Sequence, residues 1–332
     1  MGEKEWQDRP VLVTGAGGFI GSHLVEELVK RRARVRAFVR YNSRGSRGFI
    51  DDFPPQVAER VEVMAGDLRD ANAVAEAARG MSAIFHLGAL IAIPYSYIHP
   101  REVIETNVVG TLNVLAAARE HSVERVVHTS TSEVYGTAQY IPIDEKHPLV
   151  GQSPYSASKI AADQLAESFY RSYDLPVVTV RPFNTYGPRQ SARAVIPSII
   201  AQAISSDRVF LGATHPTRDL LFVKDTVRGF VELAGCDAAV GQVVNLGSGR
   251  EASVRELTER IVALVGRPVE IVFDAGRLRP ERSEVERLVA DNRRARELAG
   301  WEPRVSLDEG LKATIDWISE HAALYRPQEY AV

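Results

Sequence analysis

Cysteine is nearly absent from this chain, because Cys236 is the only one among 332 residues. A single cysteine cannot form an intrachain disulfide, and it cannot supply a cluster of thiolate metal ligands. The sequence therefore predicts a protein of a reducing compartment, and it predicts no metal site.

Long apolar runs are also missing. Residues 1–9 are charged and lack the apolar core of a secretory signal, and no uninterrupted apolar stretch approaches the length of a membrane span. These absences predict a cytoplasmic protein with no membrane partner.

The net charge is small, at −3. It gives no sign of a nucleic-acid partner, although a local basic pocket for a phosphate ligand is compatible with it. The composition, with 45% hydrophobic and 25% charged residues, is that of an ordinary globular protein. The length suits two associated lobes.

Apolar runs of strand length alternate with helical patterns over the first half of the chain. The predicted strands are 10–14, 35–39, 61–64, 83–87, 126–129 and 177–180, and the predicted helices are 22–32, 71–79, 107–120 and 155–173. This alternation predicts an α/β fold, a Rossmann-type doubly wound parallel sheet covered by helices.

The residue pattern changes after Arg181, where prolines become frequent and the predicted elements become shorter. A second, smaller α/β lobe for the substrate is predicted there. The run 243–246 has the pattern of one more buried strand, so the chain is expected to return to the first lobe near 223–248. The predicted domains are 8–180 with that return, and 181–222 together with 249–325.

A glycine-rich turn, GAGGFIG, lies between the first strand and the first helix. Bare backbone can approach a pyrophosphate at such a turn, and the helix N-terminus offers free N–H groups. A dinucleotide is therefore predicted to bind at Gly15, Gly18, Phe19, Ile20 and Gly21. A tight turn without a ligand would have the same spacing, so the flanking strand and helix carry the interpretation.

The cofactor's 2′-position is predicted to meet Arg40. About 20 residues beyond such glycines, a carboxylate usually binds the ribose of NAD. Here Arg40, Arg44 and Arg47 follow the second strand, without an acid between Arg34 and Asp51. Guanidinium groups pair with a 2′-phosphate, which favours NADP, with NAD as a close alternative. Solvated surface arginines would give the same pattern.

The ends of the third and fourth strands supply further candidates for the cofactor site. A carboxylate after the third strand can accept a hydrogen bond from the adenine amino group, and small residues after the fourth can lie against the cofactor's ribose or phosphates. The predicted residues are Asp67, Leu68, Leu87, Gly88 and Ala89. His86 is interpreted as a packed core residue.

A phenol and an ammonium group are predicted to share one helix face. Ser153 followed by Pro154 has the pattern of an N-cap, so Tyr155 and Lys159 lie one turn apart. A free tyrosine has a pKa of about 10, and a positive neighbour lowers it. Tyr155 is therefore predicted to remove a proton while hydride leaves to the cofactor, with Thr131 bonded to the same substrate hydroxyl.

Together these motifs resemble the extended short-chain dehydrogenase/reductases. The resemblance rests on GAGGFIG, on Tyr155 and Lys159, on Asn107 and on the run Arg-Pro-Phe-Asn at 181–184, and it covers nearly the whole chain. Within that superfamily the sequence is similar to NAD(P)-dependent nucleotide-sugar epimerases and dehydratases. The resemblance implies a tightly bound cofactor, with Asn107 at its site, and a separate sugar-nucleotide lobe.

Glu133 narrows the reaction that the resemblance implies. Sugar 4-epimerases usually carry a small or apolar residue there, whereas 4,6-dehydratases use a glutamate to remove the C5 proton after oxidation at C4. C6 then loses water and receives the hydride. Glucose-type dehydratases have an aspartate before this glutamate, where the chain has Ser132. Glu133, directly or through Ser132 or water, would then protonate the leaving hydroxyl.

Other readings of Thr131, Ser132 and Glu133 stay open. The triplet is similar to the GDP-mannose 4,6-dehydratase type, but UDP-glucuronate decarboxylases share it, and Glu133 could be a solvated loop acid. A 4-epimerase and a non-catalytic dinucleotide-sensing protein are the further alternatives. Segments 89–97, 151–154 and 184–193 most resemble dehydratases of legionaminic-acid biosynthesis, which implies GDP-N-acetylglucosamine, with the UDP sugar also considered.

The nucleotide-sugar substrate needs cations and polar groups in the second lobe. Asn184, Arg218 and Arg279 match family positions at the nucleotide, and Arg193 and Ser96 lie in the similar segments, so these five are the predicted substrate residues. A surface charge would explain any single arginine equally well.

A homodimer is also predicted. The helices 107–120 and 155–173 have apolar positions on more than one face, and their counterparts in the family form a four-helix interface. Burial against the chain's own sheet would explain much of the same pattern.

Overall fold

A computed structural model describes residues 6–277 and 283–325. Its fourteen strands within those ranges are β1 (Pro10–Thr14), β2 (Arg34–Arg40), β3 (Val61–Gly66), β4 (Ala83–His86), β5 (Arg125–Thr129), β6 (Val177–Pro182), β7 (Thr185–Tyr186), β8 (Arg208–Leu211), β9 (Thr217–Asp219), β10 (Leu221–Phe222), β11 (Val243–Leu246), β12 (Glu251–Ser253), β13 (Glu270–Phe273) and β14 (Arg287–Leu288).

The described ranges also contain twelve α-helices, of which the last two follow β14. They are α1 (Phe19–Lys30), α2 (Pro55–Ala58), α3 (Ala71–Ala78), α4 (Ile93–Ile98), α5 (Pro100–Ile104), α6 (Gly110–Glu120), α7 (Pro154–Tyr173), α8 (Val195–Ser205), α9 (Val223–Ala234), α10 (Val254–Val265), α11 (Arg293–Ala299) and α12 (Leu307–Glu320). None of them is long and apolar enough to cross a membrane.

The large sheet has seven strands in the order β11-β6-β5-β4-β1-β2-β3, and every neighbouring pair is parallel. Apolar side chains of α3, α6 and α7 fill the core on one face, and those of α1 and α9 fill it on the other. Burial on both faces explains why β1, β4 and β6 are almost entirely apolar. The predicted doubly wound α/β sheet is confirmed.

The predicted strands and helices are present, with shifted ends. β1 and β11 have the predicted bounds, and α7 begins behind Ser153, whose side chain accepts from the Ser156 amide. α1 begins three residues before the predicted start at Ser22, because the Ser22 amide donates to Gly18 and closes a turn through the glycine-rich segment. The helix predicted from Asn107 instead starts with a π-helical turn, Glu105–Val109, which runs into α6.

The chain beyond β6 forms smaller sheets. β9 lies between β12 and β14, β13 pairs with β8, and β10 pairs with β7. β11 joins the large sheet beside β6, at the predicted return of the chain. The domain bounds themselves stay a prediction.

Arg189 ties the segment after β7 to α1. Its guanidinium donates to both carboxylate oxygens of Glu26, at 2.7 and 3.0 Å, and lies over the rings of Phe53 and Trp317. Arg189 is buried and has a left-handed backbone at φ +68°, and Glu26 is the carboxylate that pairs with its charge.

One apolar surface is left exposed near α5 and α6. Its side chains are Ile98, Ile104, Val109 and Leu112, which are between 39% and 61% exposed. A second chain would remove this area from water, and dimerisation stays a prediction.

We expect Glu26→Gln to lower the free energy of unfolding by about 2 kcal/mol, because it leaves the buried Arg189 cation without its carboxylate. This is less than for a fully buried pair, since the Glu26 side chain is 30% exposed. Glu27→Gln on the same helix removes only the Arg31 pair, one turn away, and should cost about 0.5 kcal/mol or less. Urea unfolding measures both changes, and equal losses would contradict the assignment.

Candidate active site

The loops that follow the central strands meet at the carboxyl edge of the large sheet. β1, β4 and β5 are direct neighbours, so the turn after Thr14, the segment after His86 and the turn after Thr129 lie side by side. Ligands of open parallel sheets bind at this edge, where the strand order reverses. The predicted cofactor and catalytic residues lie around it.

The glycine-rich turn has the shape and donors that a diphosphate needs. A Cβ on Gly15 would lie 2.8 Å from the Gly88 nitrogen, and one on Gly21 would lie 2.2 Å from the Gly15 oxygen, so both positions require glycine. Gly18 is the N-cap of α1 and has no side chain to satisfy the first amides of the helix, at Phe19 and Ile20. These free N–H groups at a helix N-terminus fit an anionic dinucleotide.

His86 links β1 to the π-helical turn through hydrogen bonds of fixed direction. The Thr14 hydroxyl accepts from the amides of Leu87 and Gly88, both at 3.1 Å, so its own proton goes to His86 Nδ1 at 2.8 Å. The Thr111 hydroxyl donates to the Asn107 carbonyl at 2.6 Å and therefore accepts from His86 Nε2 at 3.0 Å.

Burial, with the charges of His128 and Lys159, holds the pKa of His86 well below its usual value. The imidazole is neutral, in a single tautomer, and lies in the core as the sequence predicted.

Asn107 fixes the backbone beside Ala89. Its side-chain oxygen accepts from the Leu90 amide at 2.8 Å, while its nitrogen donates to the Leu90 carbonyl and to Ser158 Oγ, each at 2.9 Å. Ser158 belongs to α7, so the π-helical turn connects the segment after β4 to the helix of Tyr155 and Lys159. Leu68 packs behind the same segment, where a Cβ on Gly88 would lie 2.7 Å from its Cδ1.

The arginine-rich loop after β2 is ordered by its own contacts. The Asn42 side chain accepts from the amides of Arg44 and Ser46 and donates to the Ser46 carbonyl. Gly48 lies directly on Gly17 of the glycine-rich turn, since a Cβ there would approach the Gly17 oxygen to 2.3 Å. A cleft of about 320 Å³ opens beside this loop, lined by Val39, Arg40, Tyr41, Asn42, Gly45, Ser46, Arg47, Val63 and Ala65.

Two predicted cofactor residues, Arg40 and Asp67, are each paired with a side chain of opposite charge. Arg40 Nη2 donates to Glu102 Oε1 at 3.3 Å, and the other oxygen of Glu102 accepts from the Tyr95 hydroxyl. Asp67 accepts from the Arg69 guanidinium at 3.0 and 2.6 Å, which holds the pKa of its carboxyl below the usual range. An adenine amino group would share the Asp67 carboxylate with Arg69.

The catalytic candidates Thr131, Glu133 and Tyr155 come together in the structure. The 3₁₀ turn Ser132–Tyr135 follows β5, the Thr131 hydroxyl accepts from the Glu133 amide at 3.2 Å, and the Thr131 side chain is near enough to the Tyr155 phenol to affect its pKa. Burial raises the pKa of Tyr155, the Thr131 side chain opposes that rise, and the charge of Glu133 adds to it. A positive charge added near the phenol would favour the phenolate form that accepts a proton, and an oxidised nicotinamide would supply one.

Lys159 lies one turn along α7 but does not contact the phenol. Its ammonium donates to the Thr129 carbonyl at 2.7 Å. Burial lowers the pKa of Lys159 to about 8, against the charge of Asp163, which raises it. Burial therefore raises the pKa of Tyr155, where the sequence predicted that Lys159 would lower it.

The predicted substrate residues have unlike surroundings. Asn184 Nδ2 is buried and has no hydrogen-bond partner among the described residues. Arg218 donates to Glu284 at 3.1 Å, and Arg193 is exposed. Ser96 is fully buried and donates to the Ile93 carbonyl at 2.6 Å, so its hydroxyl does not face an open cleft. Arg279 lies outside the described residues.

Asp163 and Arg181 were missed as site residues. Both are buried, and Arg181 donates to Asp163 Oδ2 at 2.9 Å directly behind the turn that carries Glu133. A sequence signal existed for each. Asp163 follows Lys159 by one helical turn on the buried face, and Arg181 is a charge in an otherwise apolar strand, where an unpaired cation would be costly.

We expect the rate of cofactor reduction to fall as the pH rises above about 8, because Lys159 then loses the positive charge that it carries below its pKa. The check is a pH profile of reduced-nicotinamide absorbance. In Lys159→Arg the residual rate should lack this alkaline fall, since guanidinium stays charged. Lys30→Met, at an exposed position of α1, should keep the wild-type profile. An unchanged alkaline fall in Lys159→Arg would contradict the assignment.

Comparison with known proteins agrees with this geometry. Residues 12–314 match the family described as GDP-mannose 4,6 dehydratase. A UDP-glucose 4-epimerase from Mycolicibacterium smegmatis is 37% identical over 92% of this chain and 97% of its own, and a dTDP-glucose 4,6-dehydratase from Streptomyces antibioticus is 33% identical over 96% and 94%.

Among solved structures, the dTDP-glucose 4,6-dehydratase DesIV from Streptomyces venezuelae, with NAD bound, superposes with a TM-score of 0.85 at 30% identity, over 96% of this chain and 100% of its own. The glycine-rich turn and the tyrosine–lysine helix thus occur in a chain that belongs to the GDP-mannose 4,6 dehydratase family, whose members include nucleotide-sugar epimerases and dehydratases of the short-chain dehydrogenase/reductase fold.

Proposed function

We propose that this protein is a nucleotide-sugar 4,6-dehydratase, which converts an NDP-hexose to its 4-keto-6-deoxy form. The observation that carries the proposal is Glu133. Its side chain is half-buried on the turn after β5, and its charge acts on the Tyr155 phenol. A carboxylate so close to the oxidising tyrosine can remove a second proton from the same sugar, which epimerisation does not require.

The proposed reaction assigns a role to each of these residues. Bound NAD(P) supplies the hydride acceptor and later the hydride donor. Tyr155 takes the proton of the C4 hydroxyl, with Thr131 near the phenol and the Lys159 ammonium adding positive charge. The new C4 ketone acidifies C5–H, and Glu133 removes that proton. The C6 hydroxyl leaves as water, C6 then receives the stored hydride and C5 a proton, and the sugar therefore undergoes no net redox change.

The acid for the C6 hydroxyl is proposed to be Glu133 itself. Ser132, which occupies the position of the aspartate in glucose-type dehydratases, is buried and is a much weaker acid. After it takes the C5 proton, Glu133 is a carboxylic acid and can return that proton to the leaving oxygen. One residue then serves both steps, as base and as acid.

GDP- or UDP-N-acetylglucosamine is the proposed substrate. The choice rests on the likeness of segments 89–97, 151–154 and 184–193 to dehydratases that act on the GDP sugar. In this region the Asn184 amide is buried without a hydrogen-bond partner among the described residues, and Arg218 of β9 donates to Glu284.

NADP is the proposed cofactor, with NAD as the close alternative. Arg40 and Arg47 line one cleft at the end of β2, beside the glycine-rich turn, which supports a phosphate on the ribose. Each already has a carboxylate partner, Glu102 and Asp51. These exposed pairs are weak, so a 2′-phosphate can compete for both guanidinium groups.

A nucleotide-sugar 4-epimerase is the second candidate. The observation that favours it is the identity of 37% to a UDP-glucose 4-epimerase, which exceeds the 33% to a dehydratase. An epimerase would use Tyr155 and Lys159 in the same way and would leave Glu133 without a chemical task.

We expect GDP- or UDP-N-acetylglucosamine to lose one water on incubation with the enzyme, as measured by mass spectrometry. Glu133→Gln should slow this loss by about 10²–10⁴-fold, the usual worth of a general acid–base group, and still reduce the cofactor. Tyr155→Phe should lose both steps. Unchanged mass with inversion at C4 would establish the epimerase instead, and release of carbon dioxide from UDP-glucuronate a decarboxylase.

We expect the cofactor released by denaturation to be NADP, one phosphoryl group heavier than NAD by mass. Arg47→Ala should reduce the amount of NADP that survives purification, because it removes a cation from the cleft. Arg79→Ala, at an exposed position after α3, should retain it fully. Release of NAD alone from the wild-type protein would contradict the NADP proposal.

A further inference from the structure

An ion pair lies buried behind the turn that carries Glu133. Arg181 of β6 donates to Asp163 of α7 from Nε at 3.1 Å and from Nη2 at 2.9 Å, and the two side chains are only 4% and 3% exposed. Withdrawing two charges from water is costly, and apolar residues of the same size are often at least as stabilising. A role beyond stability is therefore worth seeking for this pair.

The pair is bonded to both ends of the turn. Ser130, just before it, donates from Oγ to Asp163 at 2.8 Å. Tyr135, its last residue, accepts at Oη from Arg181 Nη1 at 3.0 Å and donates to Asn245 of β11 at 2.7 Å. The segment from Thr131 to Val134 therefore lies between two residues, Ser130 and Tyr135, whose side chains are both hydrogen-bonded to the ion pair.

The same pair joins the turn to the oxidising residues. Asp163 lies one turn beyond Lys159 on α7, and its second oxygen is hydrogen-bonded to His128 Nε2 at 3.0 Å. Burial opposes ionisation of Asp163, but the hydrogen bond of His128 and the charge of Arg181 outweigh it and hold its pKa below the usual value. The carboxylate is therefore charged throughout the range in which the enzyme would be assayed.

We propose that the Asp163–Arg181 pair is a positioning element for Glu133, which fixes the turn after β5 relative to the helix of Tyr155 and Lys159. Glu133 must reach the C5 proton while Tyr155 addresses the C4 hydroxyl of the same ring. A displacement of about 1 Å in such a group can cost a hundredfold in rate. The inference rests on the proposed dehydratase function.

The test uses variants that each remove one of the two hydrogen bonds between the turn and the ion pair, and that keep the ion pair itself. Ser130→Ala removes the hydrogen bond before the turn, and Tyr135→Phe removes the one after it. The matched controls are Ser168→Ala and Tyr140→Phe, whose hydroxyls bond to Leu165 and Asp144 at exposed positions. Asp163→Asn is less informative, because it leaves Arg181 buried and unpaired and can fail to fold.

Two steps are followed in each variant with GDP- and UDP-N-acetylglucosamine. Reduced-nicotinamide absorbance reports oxidation by Tyr155 and Lys159, and solvent deuterium at C5 of the product reports proton removal by Glu133. We expect Ser130→Ala and Tyr135→Phe to slow deuterium entry about tenfold, the rate equivalent of one lost hydrogen bond, and to slow oxidation less, although Thr131 lies on the same turn. In a Glu133→Gln background the two substitutions should have no further effect on elimination.

Equal slowing of both steps, or the same slowing in the controls, would indicate general loosening and overturn the inference. No slowing of either step would also overturn it. If the wild-type protein loses no water, the dehydratase function fails, and amide hydrogen exchange decides the positioning separately. Faster exchange of residues 131–136 in both variants, and not in the controls, supports it, and unchanged exchange overturns it.

Discussion

Parallel pairing of β1, β4 and β5 brings three separate turns to one edge of the sheet, and the candidate site depends on that constraint. Parallel strands need crossover helices, so each turn is followed by a helix that starts near the same edge. α1 supplies free amides there, and α7 supplies a phenol and an ammonium group. The pairing of the strands therefore brings the predicted cofactor site on α1 and the tyrosine–lysine pair on α7 to the same edge of the sheet.

Burial works against the chemistry of the tyrosine and lysine that this edge brings together. It raises the pKa of Tyr155 and lowers that of Lys159, so each group is driven toward its neutral form. The short bond from Lys159 to the Thr129 carbonyl favours the ammonium form and fixes its place. A positive charge added beside the phenol would oppose the effect of burial on the pKa of Tyr155.

The sequence was sufficient for features that depend on local pattern. β-branched runs, the glycine spacing and the Ser-Pro start of α7 each follow from neighbours in the chain, and the structure has them within a few residues of the predicted ends. Contacts between distant segments could not be predicted in this way. Glu102 reaches Arg40 across 62 positions, and Ser96 is covered by the fold, so neither the acid beside the arginine nor the buried hydroxyl has a local signal.

The hydrogen-bonded chain through His86 has a consequence for where protons can travel. Thr14, His86 and Thr111 each donate in one direction only, and the chain ends on backbone groups that cannot pass a proton further. A proton wire conducts only if every link can reverse after each passage, and here reversal would break the bonds to Leu87, Gly88 and Asn107. Within the part of the chain that the structure describes, this series of hydrogen bonds therefore gives a proton no route through the core between β1 and α6.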